Sequence, residues 1–220
     1  MRPPSRQNRV LPDGAIISAQ QRGLFFGNRG GKIHDSVTQT LLPNRRWASR
    51  QWICCVLEFK NRQRQVMGPG YTELFFLDEV TALAAGHRPC FECRRDDALA
   101  FSQAFIHDSD QAGYSDRRRA SAPQMDKILH QQRLSPDGKK RLCSRPWNEL
   151  PVGAMVEVGK VWLAKSPAGT LQWSLDGYIR PDPISENNLE GDLDCLTPPA
   201  ILNTLSNGYK PHWHPSAKML

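Results

Sequence analysis

The sequence predicts an α+β protein in which a small antiparallel sheet of hairpins packs against short helices and a turn shaped like a zinc knuckle. Two stretches, starting at Leu11 and Leu150, share the pattern Leu-Pro-x-Gly-Ala followed by β-branched residues and further turns. Alternation bounded by glycine and proline is typical of β-hairpins. Residues 77–90 and 196–212 each carry a short apolar segment that ends at glycine, which indicates a short helix. Strands and helices in this order predict an α+β architecture.

The region between the two hairpins contains further predicted elements. The runs RQWICCVLEFK (50–60) and YTELFFL (71–77) are apolar and are rich in the residues that favour strands. Apolar residues recur at helical spacing from residue 94 to about residue 105. A second short helix is predicted over MDKILHQQRL, residues 125–134.

Three segments are predicted along the chain. Residues 1–10 are expected to form a basic flexible tail, because they hold three arginines and little apolar sequence. Residues 11–149 are expected to hold the first hairpin and a zinc-binding region. Residues 150–220 are expected to hold the second hairpin and a helix that pack on the first part. The matched order of hairpin and helix suggests a degenerate internal repeat.

Basic residues are concentrated in the first third of the chain. Residues 1–70 contain twelve Lys and Arg against three Asp and Glu, whereas the remaining residues contain seventeen against nineteen. Such asymmetry favours a polyanionic partner, most simply nucleic acid. The alternative is a basic surface that serves solubility alone.

The sequence features predict a cytoplasmic location without a membrane partner. The first ten residues lack the apolar region of a secretory signal, and no apolar run approaches 18 residues. Six cysteines without an export signal indicate a reducing compartment, where clustered cysteines are more often metal ligands or reactive thiols than disulfides.

The stretch AAGHRPCFECRRDD, residues 84–97, is the strongest chemical motif in the chain. A CxxC pair beside a tight turn presents two thiolates to one tetrahedral Zn²⁺. Neighbouring arginines favour the thiolate form, which helps metal capture. A redox CxxC is one alternative, although that motif usually opens a helix after a strand. Two ordinary buried thiols are the other.

Residues 75–97, FFLDEVTALAAGHRPCFECRRDD, resemble the core of the Ada-type zinc-binding domain, the metal-binding module of bacterial methylphosphotriester DNA repair proteins. The shared features are paired phenylalanines, a helix that ends in Ala-Ala-Gly, and the run ring-Arg-Pro-Cys-x-x-Cys-Arg. The resemblance implies zinc held by Cys90 and Cys93 together with an upstream cysteine pair, and contact with DNA phosphates. It also implies methyl transfer to an upstream cysteine. That family separates its upstream cysteines by three residues, whereas here Cys54 and Cys55 are adjacent.

The remaining metal ligands are predicted from the strand pattern and from the repeat. Adjacent side chains on a strand point to opposite faces, so one of Cys54 and Cys55 should reach a shared metal. The Cys55 face is the more apolar, which favours Cys54 as the ligand. Alignment of GHRPCFEC with GYKPHWHP places His212 opposite Cys90. The predicted zinc ligands are therefore Cys90, Cys93, Cys54 and His212.

Several arginines are candidates for contacts with nucleic-acid phosphates. The glycine-rich stretch of residues 22–35 suits either a phosphate contact or a hairpin turn that needs positive φ angles. The segment NRRWASRQW alternates arginines with Trp47 and Trp52, which either stack on bases or anchor the core. The predicted nucleic-acid contacts are Arg22, Arg29, Arg45, Arg46 and Arg88.

The sequence thus predicts a zinc-binding protein that binds nucleic acid, with a role in DNA repair or processing. The alternative is a metal- or thiol-dependent enzyme that acts on nucleic acid, either a nuclease or a methyl acceptor. In that alternative Cys54, Glu58, His87 and His130 would gather around one cleft, at a metal with open coordination. The motifs of serine hydrolases, zinc proteases and P-loop enzymes are missing from the sequence.

Overall fold

Two six-stranded sheets and four α-helices make up the part of the chain that the computed structural model describes, namely residues 5–63, 65–105, 119–182 and 189–219. Strands and helices are both present, as the α+β prediction requires. The strands form two sheets, however, and the first of them is mixed in direction rather than purely antiparallel.

The first sheet has the strand order β2-β1-β5-β3-β4-β6. The pairs β1–β5 and β4–β6 are parallel, and the other pairs are antiparallel. Its strands are β1 (Gln7–Val10), β2 (Ile16–Ser18), β3 (Phe25–Arg29), β4 (Trp52–Val56), β5 (Leu74–Phe76) and β6 (Arg88–Pro89).

Two predictions for the N-terminal region are corrected by this sheet. Strand β3 is buried along its whole length and pairs with β4 and β5, while β2 pairs with β1. The predicted hairpin after Leu11 is therefore absent, because a fully buried strand needs a partner on each side. The end of the predicted flexible tail forms β1, where Asn8 and Val10 are buried. Residues 1–4 of that tail lie outside the described residues.

The second sheet is antiparallel throughout, with the order β11-β10-β9-β8-β12-β7. Strands β8 and β9 form the hairpin predicted after Leu150. Strand β7 pairs with β12, so this sheet begins before the predicted boundary at residue 150. Its strands are β7 (Cys143–Pro146), β8 (Met155–Val158), β9 (Val161–Ser166), β10 (Gly169–Ser174), β11 (Gly177–Ile179) and β12 (Asp192–Cys195).

The helices lie in the four segments where the sequence predicts them, although α3 begins three residues earlier than expected. They are α1 (Glu79–Ala84), α2 (Arg95–Ala104), α3 (Ala122–Arg133) and α4 (Pro199–Ser206), with 3₁₀ turns at Trp147–Glu149 and Pro215–Lys218. Every residue of α1 is buried. Its Val80 and Ala84 pack in the same core cluster as Met155 and Trp173 of the second sheet, while Ala82 packs on the first. This helix therefore joins the two sheets.

Helices α1 and α4 end in the same way. In each, the glycine N–H donates to the carbonyl three residues back, and the next N–H donates to the carbonyl five residues back. Gly86 and Gly208 have φ angles of +85° and +98°. This pair of bonds is the Schellman motif, which needs a left-handed residue after the helix. The shared helix ending that the sequence predicts is thus present, although the strands before the two helices pair differently.

Candidate metal centre

The register of β4 and β6 brings two cysteines together. Cys54 is the partner of Pro89 in this parallel pair, and the Cys90 N–H donates to the Cys54 carbonyl over 3.0 Å. The next residue on each strand is therefore a cysteine, Cys55 on one side and Cys90 on the other. The CxxC turn that follows adds Cys93 just before α2 begins.

Three sulfur atoms, those of Cys55, Cys90 and Cys93, all lie within 4.8 Å of one another. Tetrahedral zinc with Zn–S bonds of about 2.3 Å needs sulfurs about 3.8 Å apart, so a small contraction would close the group around an ion. The group can hold a metal ion. No fourth His, Cys, Asp or Glu joins it among the described residues. A three-thiolate site would complete its coordination with water or with another ligand.

Hydrogen bonds at the cluster favour a thiolate at Cys90. The Cys55 thiol hydrogen-bonds to the Cys90 sulfur, which raises the pKa of Cys55 and lowers that of Cys90. The Glu92 backbone N–H also points at the Cys90 sulfur, over 3.4 Å. Peptide N–H groups aimed at a sulfur stabilise its negative charge. Metal ligation requires deprotonated cysteines, so this arrangement suits a cation.

An apolar shell surrounds the three sulfurs. Cys55 and Cys90 are buried in one cluster with Phe26 and Phe75, and Tyr71 packs against that cluster. The loop that carries Tyr71 is tied down by buried His34, whose Nε2 lies 2.8 Å from the Gly68 carbonyl oxygen. Such a shell limits the access of water to a bound ion.

Cys54, the predicted strand ligand, lies outside the group. Its sulfur accepts a hydrogen bond of 3.4 Å from Arg94 Nη1, and burial raises the pKa of its thiol. The two neighbouring cysteines point to opposite faces of β4, as expected, but it is Cys55 that shares the face of Cys90 and Cys93. Cys55 joins the group because it lies on the more apolar face of β4, and that face also contacts Cys90 and the phenylalanines around the sulfurs.

His212, the other predicted ligand, also lies outside the group. Its Nε2 is 3.2 Å from Asp97 Oδ1, and about half of the side chain is exposed. The backbone of His212 is held elsewhere, because its N–H donates to the buried Glu79 carboxylate over 2.9 Å. His212 is therefore held at the start of α1 and not at the cysteines, so the alignment of the two repeats does not place it beside Cys90.

Two of the predicted phosphate contacts belong to buried arginines. Arg88 donates to both carboxylate oxygens of Asp126 over 2.8 Å, and the side chains are 2% and 9% exposed. This ion pair leaves no exposed donor for the phosphate contact predicted at Arg88. The guanidinium of Arg29 lies 4.1 Å from the Trp52 ring centroid and donates to the Gly14 carbonyl over 2.7 Å.

The other three predicted arginines lie in two places. Arg45 and Arg46 are exposed and line, with Arg29, a cleft of about 750 Å³. Trp47 is half-buried in the same cleft. Arg22 lies apart from the cleft, with its guanidinium 4.9 Å from the Phe75 ring centroid. We call the first of these places the basic cleft, which is lined by Arg29, Arg45, Arg46, Arg133, Lys139 and Lys140 and by the carboxylates of Asp13 and Asp137.

The residues expected of an enzyme do not gather with the cysteine group among the described residues. Glu58 is exposed beyond the end of β4. His130 and Trp47 form a T-shaped pair, with ring centroids 5.5 Å apart. His87 is fully buried between Trp52 and Phe76.

The ligand candidate that sequence reasoning missed is Cys55. The sequence feature that could have indicated Cys55 is the short spacing from Gly86 to Cys90, which leaves room for a two-residue strand beside β4. A parallel pair at that point fixes which cysteine faces the CxxC turn, but no local pattern predicts the register.

No family model, curated protein or solved structure matches this chain. The resemblance of residues 75–97 to the Ada-type domain therefore stays a prediction from those residues. None of the described helices has the length and apolar character that a membrane span requires.

Proposed function

We propose that the protein binds one Zn²⁺ through Cys55, Cys90 and Cys93, and that it binds nucleic acid through the basic cleft. The observation that carries the metal assignment is the group of three sulfurs within 4.8 Å. Three thiolates are soft ligands, which suit zinc far better than magnesium or calcium. The resemblance to the Ada-type domain supports the same metal at Cys90 and Cys93.

The proposed role of the metal is structural. Cys55 belongs to β4, which lies next to the edge strand β6 of the first sheet, whereas Cys93 lies two residues before α2. An ion bound to both would fasten the start of α2 to β4. Just before α2, the chain pairs with β4 through the two residues of β6. Binding energy at such a site adds directly to folding stability.

The nucleic-acid assignment rests on the charge and the shape of the basic cleft. Six cations and two carboxylates line it, and Lys139 pairs with Asp137 over 3.1 Å. Exposed arginines beside a half-buried tryptophan suit phosphate contact combined with base stacking. A role in DNA repair or processing would follow from the Ada-type resemblance.

A second candidate function is suggested by the three-ligand group. Catalytic zinc sites use three protein ligands and keep one position for water or substrate. The protein would then be a metal-dependent enzyme acting on nucleic acid, as a nuclease or as a thiol methyl acceptor. Release of nucleotides from DNA, or methylation of a cysteine by methylphosphotriester DNA, would distinguish this function from binding alone.

Metal analysis tests the zinc assignment. We expect protein purified without chelators to contain about one zinc per chain, and we expect the double variant Cys90→Ser/Cys93→Ser to contain none. Cys143→Ser/Cys195→Ser is the matched control, because it removes two thiols elsewhere and should keep the metal. Wild-type protein without zinc would refute the assignment.

Salt dependence tests the nucleic-acid assignment. We expect the protein to bind single- or double-stranded DNA with an affinity that falls steeply with salt, and Arg45→Gln/Arg46→Gln should reduce the log–log slope by about 2. Arg145→Gln is the control, because Arg145 is exposed on β7 outside the cleft. Absent binding, or an unchanged slope in the double variant, would refute the cleft as the interface.

A further inference from the structure

Trp52 lies against two arginine side chains in the buried part of the basic cleft. The Cζ atoms of Arg29 and Arg133 are 4.1 Å and 3.9 Å from the Trp52 ring, and all three side chains are buried. Lys140 lines the same cleft, and its ammonium donates to the Ala84 carbonyl. We call these four residues the inner pocket.

Several buried polar atoms at the inner pocket have no hydrogen-bond partner within the described part of the chain. They are Arg29 Nε, Arg133 Nε, Trp52 Nε1 and both ring nitrogens of His87, whose ring lies 5.0 Å from that of Trp52. Unsatisfied buried polar groups are rare in native proteins and call for an explanation. The arginine and tryptophan atoms are donors only, so the missing partner must be an acceptor.

The charges of the inner pocket lack an ion-paired carboxylate among the described residues, and Asp13 and Asp126 act on them only at longer range. Arg29 donates to the Gly14 carbonyl, and Arg133 donates to the carbonyls of Gly86 and Arg50 over 2.9 Å and 2.6 Å. Over the described ranges, neither arginine nor Lys140 has a carboxylate within ion-pair distance. Buried charges are normally paired, because removing an ion from water is costly. An anionic ligand would supply the charge that this cluster lacks.

We infer that the inner pocket, formed by Arg29, Trp52, Arg133 and Lys140, binds a phosphate group. A carboxylate carries one negative charge and two oxygens, which would leave two of the three cations without compensation. A phosphate dianion carries more charge and more acceptor oxygens, and guanidinium groups are well suited to it. Burial lowers the pKa values of both arginines, and nearby cations, Arg46 for Arg29 and Arg29 for Arg133, lower them further. The negative charge of a bound dianion would act in the opposite direction.

The outer part of the cleft indicates what the phosphate is attached to. Trp47 is half-buried there, 6.5 Å from the Trp52 ring centroid, and Arg45 and Arg46 are exposed beside it. A phosphate in the inner pocket would leave an attached base within reach of the indole. This assignment of the ligand to a nucleotide or a nucleic-acid end rests on the proposed function, whereas the phosphate pocket itself does not.

Calorimetric titration of the full chain with inorganic phosphate, and with sulfate, tests the pocket. We expect one binding site, absent when chloride is titrated at equal ionic strength. Lys140→Met should weaken binding by about tenfold or more, because it removes a half-buried charge from the site. Lys160→Met is the matched control, since Lys160 is exposed in the turn between β8 and β9, outside the cleft, and it should change the affinity by less than about twofold.

A thermal-shift series provides an independent readout. Phosphate should raise the melting temperature of the wild type and of Lys160→Met, and should raise it less for Lys140→Met, because a ligand that binds only the folded state stabilises it. Absence of phosphate and sulfate binding to folded wild-type protein would overturn the inference. Equal binding by the two lysine variants would overturn it as well.

Oligonucleotides separate this inference from the proposed function. If the protein binds DNA but inorganic phosphate neither binds to it nor competes with the DNA, the pocket is overturned and the DNA interface still stands. Phosphate binding without DNA binding would support the pocket and refute the DNA interface. A stronger interaction with a 5′-phosphorylated oligonucleotide than with its 5′-hydroxyl form would identify a strand end as the source, and tight binding of nucleoside monophosphates would identify free nucleotides.

Discussion

Glu79 and Arg94 form an ion pair that is almost completely removed from solvent. Arg94 Nη2 lies 2.7 Å from Glu79 Oε2, and the side chains are 1% and 0% exposed. The same carboxylate accepts hydrogen bonds from the Tyr209 hydroxyl over 2.6 Å and from the His212 N–H. One buried carboxylate thus connects the start of α1, the turn after the cysteine group and the C-terminal segment.

Removing one partner of this ion pair should be strongly destabilising. We expect Arg94→Met to lower the free energy of unfolding by about 3–5 kcal/mol, because it leaves a buried carboxylate without its counter-charge. Arg62→Met is the control, since its ion pair with Glu92 is exposed to solvent and should contribute far less. Urea unfolding measures both values, and similar losses in the two variants would contradict the expectation.

Alanine at the two helix-ending glycines should have unequal effects. Both positions need positive φ, so each substitution should cost about 1 kcal/mol or more from backbone strain. A Cβ at Gly86 would also lie 2.8 Å from Arg133 Cβ and Cδ, whereas a Cβ at Gly208 meets nothing within 4 Å. We therefore expect thermal unfolding to show a larger loss for Gly86→Ala than for Gly208→Ala. Equal losses of stability would contradict this expectation and would mean that the Arg133 side chain can move away from the new Cβ without cost.

Cys143 should be unusually reactive for a structural thiol. It lies opposite Cys195 across β7 and β12, and the hydrogen bond from the Cys195 thiol lowers the pKa of Cys143 to about 7. Its iodoacetamide alkylation rate, followed by peptide mass spectrometry, should reach half of its maximum near pH 7 instead of about pH 8.5. Cys195→Ala should move the midpoint to higher pH, and an unchanged midpoint would refute this cause.

Sulfate binding to the inner pocket should weaken as the pH rises through neutrality. Burial lowers the pKa of Lys140 to about 7, so its charge is present below that pH and is lost above it. Sulfate keeps its own charge over this range. Burial also lowers the pKa of Arg133, to about 8, so the Lys140 effect is measured below that pH. We expect the affinity to fall several-fold between pH 6 and pH 7.5, and we expect Lys140→Met to remove most of this dependence.

The other titratable groups near Lys140 define the control for that experiment. The pKa of His87 is far below its usual value, so this ring stays neutral throughout. Cys143 gains negative charge near pH 7 and lies close enough to act on Lys140. A Cys143→Ala background therefore isolates the lysine. A pH-independent affinity in that background would contradict the assignment. The charged or titratable groups that act on Lys140 are Arg29, Asp13, Cys143 and Cys195.

Local patterns predicted the helices and several strands correctly, because their signals lie within the elements themselves. Asp78 is the N-cap of α1, and its carboxylate accepts a hydrogen bond from the Thr81 N–H, which is an interaction within the element itself. Gly86 and Gly208 end their helices as predicted. The pairing of strands was not predictable in the same way, because β3 acquires its neighbours from residues 23 to 51 positions away.

The site shows the same division between local and non-local information. The CxxC turn supplied Cys90 and Cys93 directly, whereas the choice between Cys54 and Cys55 depended on the register of β4 with β6. The sequence likewise gave no reason to join Arg133 and Lys140 to Arg29. They meet at Trp52 because α3 and the turn after it pack against the end of α1.

The central claim is that Cys55, and not Cys54, completes the zinc group with Cys90 and Cys93. X-ray absorption at the zinc edge, measured on the wild type and on Cys55→Ser and Cys54→Ser, tests it most directly. We predict three sulfur ligands at about 2.3 Å and one lighter ligand in the wild type. We also predict the same spectrum in Cys54→Ser and loss of the zinc or of one sulfur in Cys55→Ser. Zinc without sulfur ligands, or a sulfur shell that Cys54→Ser disrupts and Cys55→Ser preserves, would contradict the account.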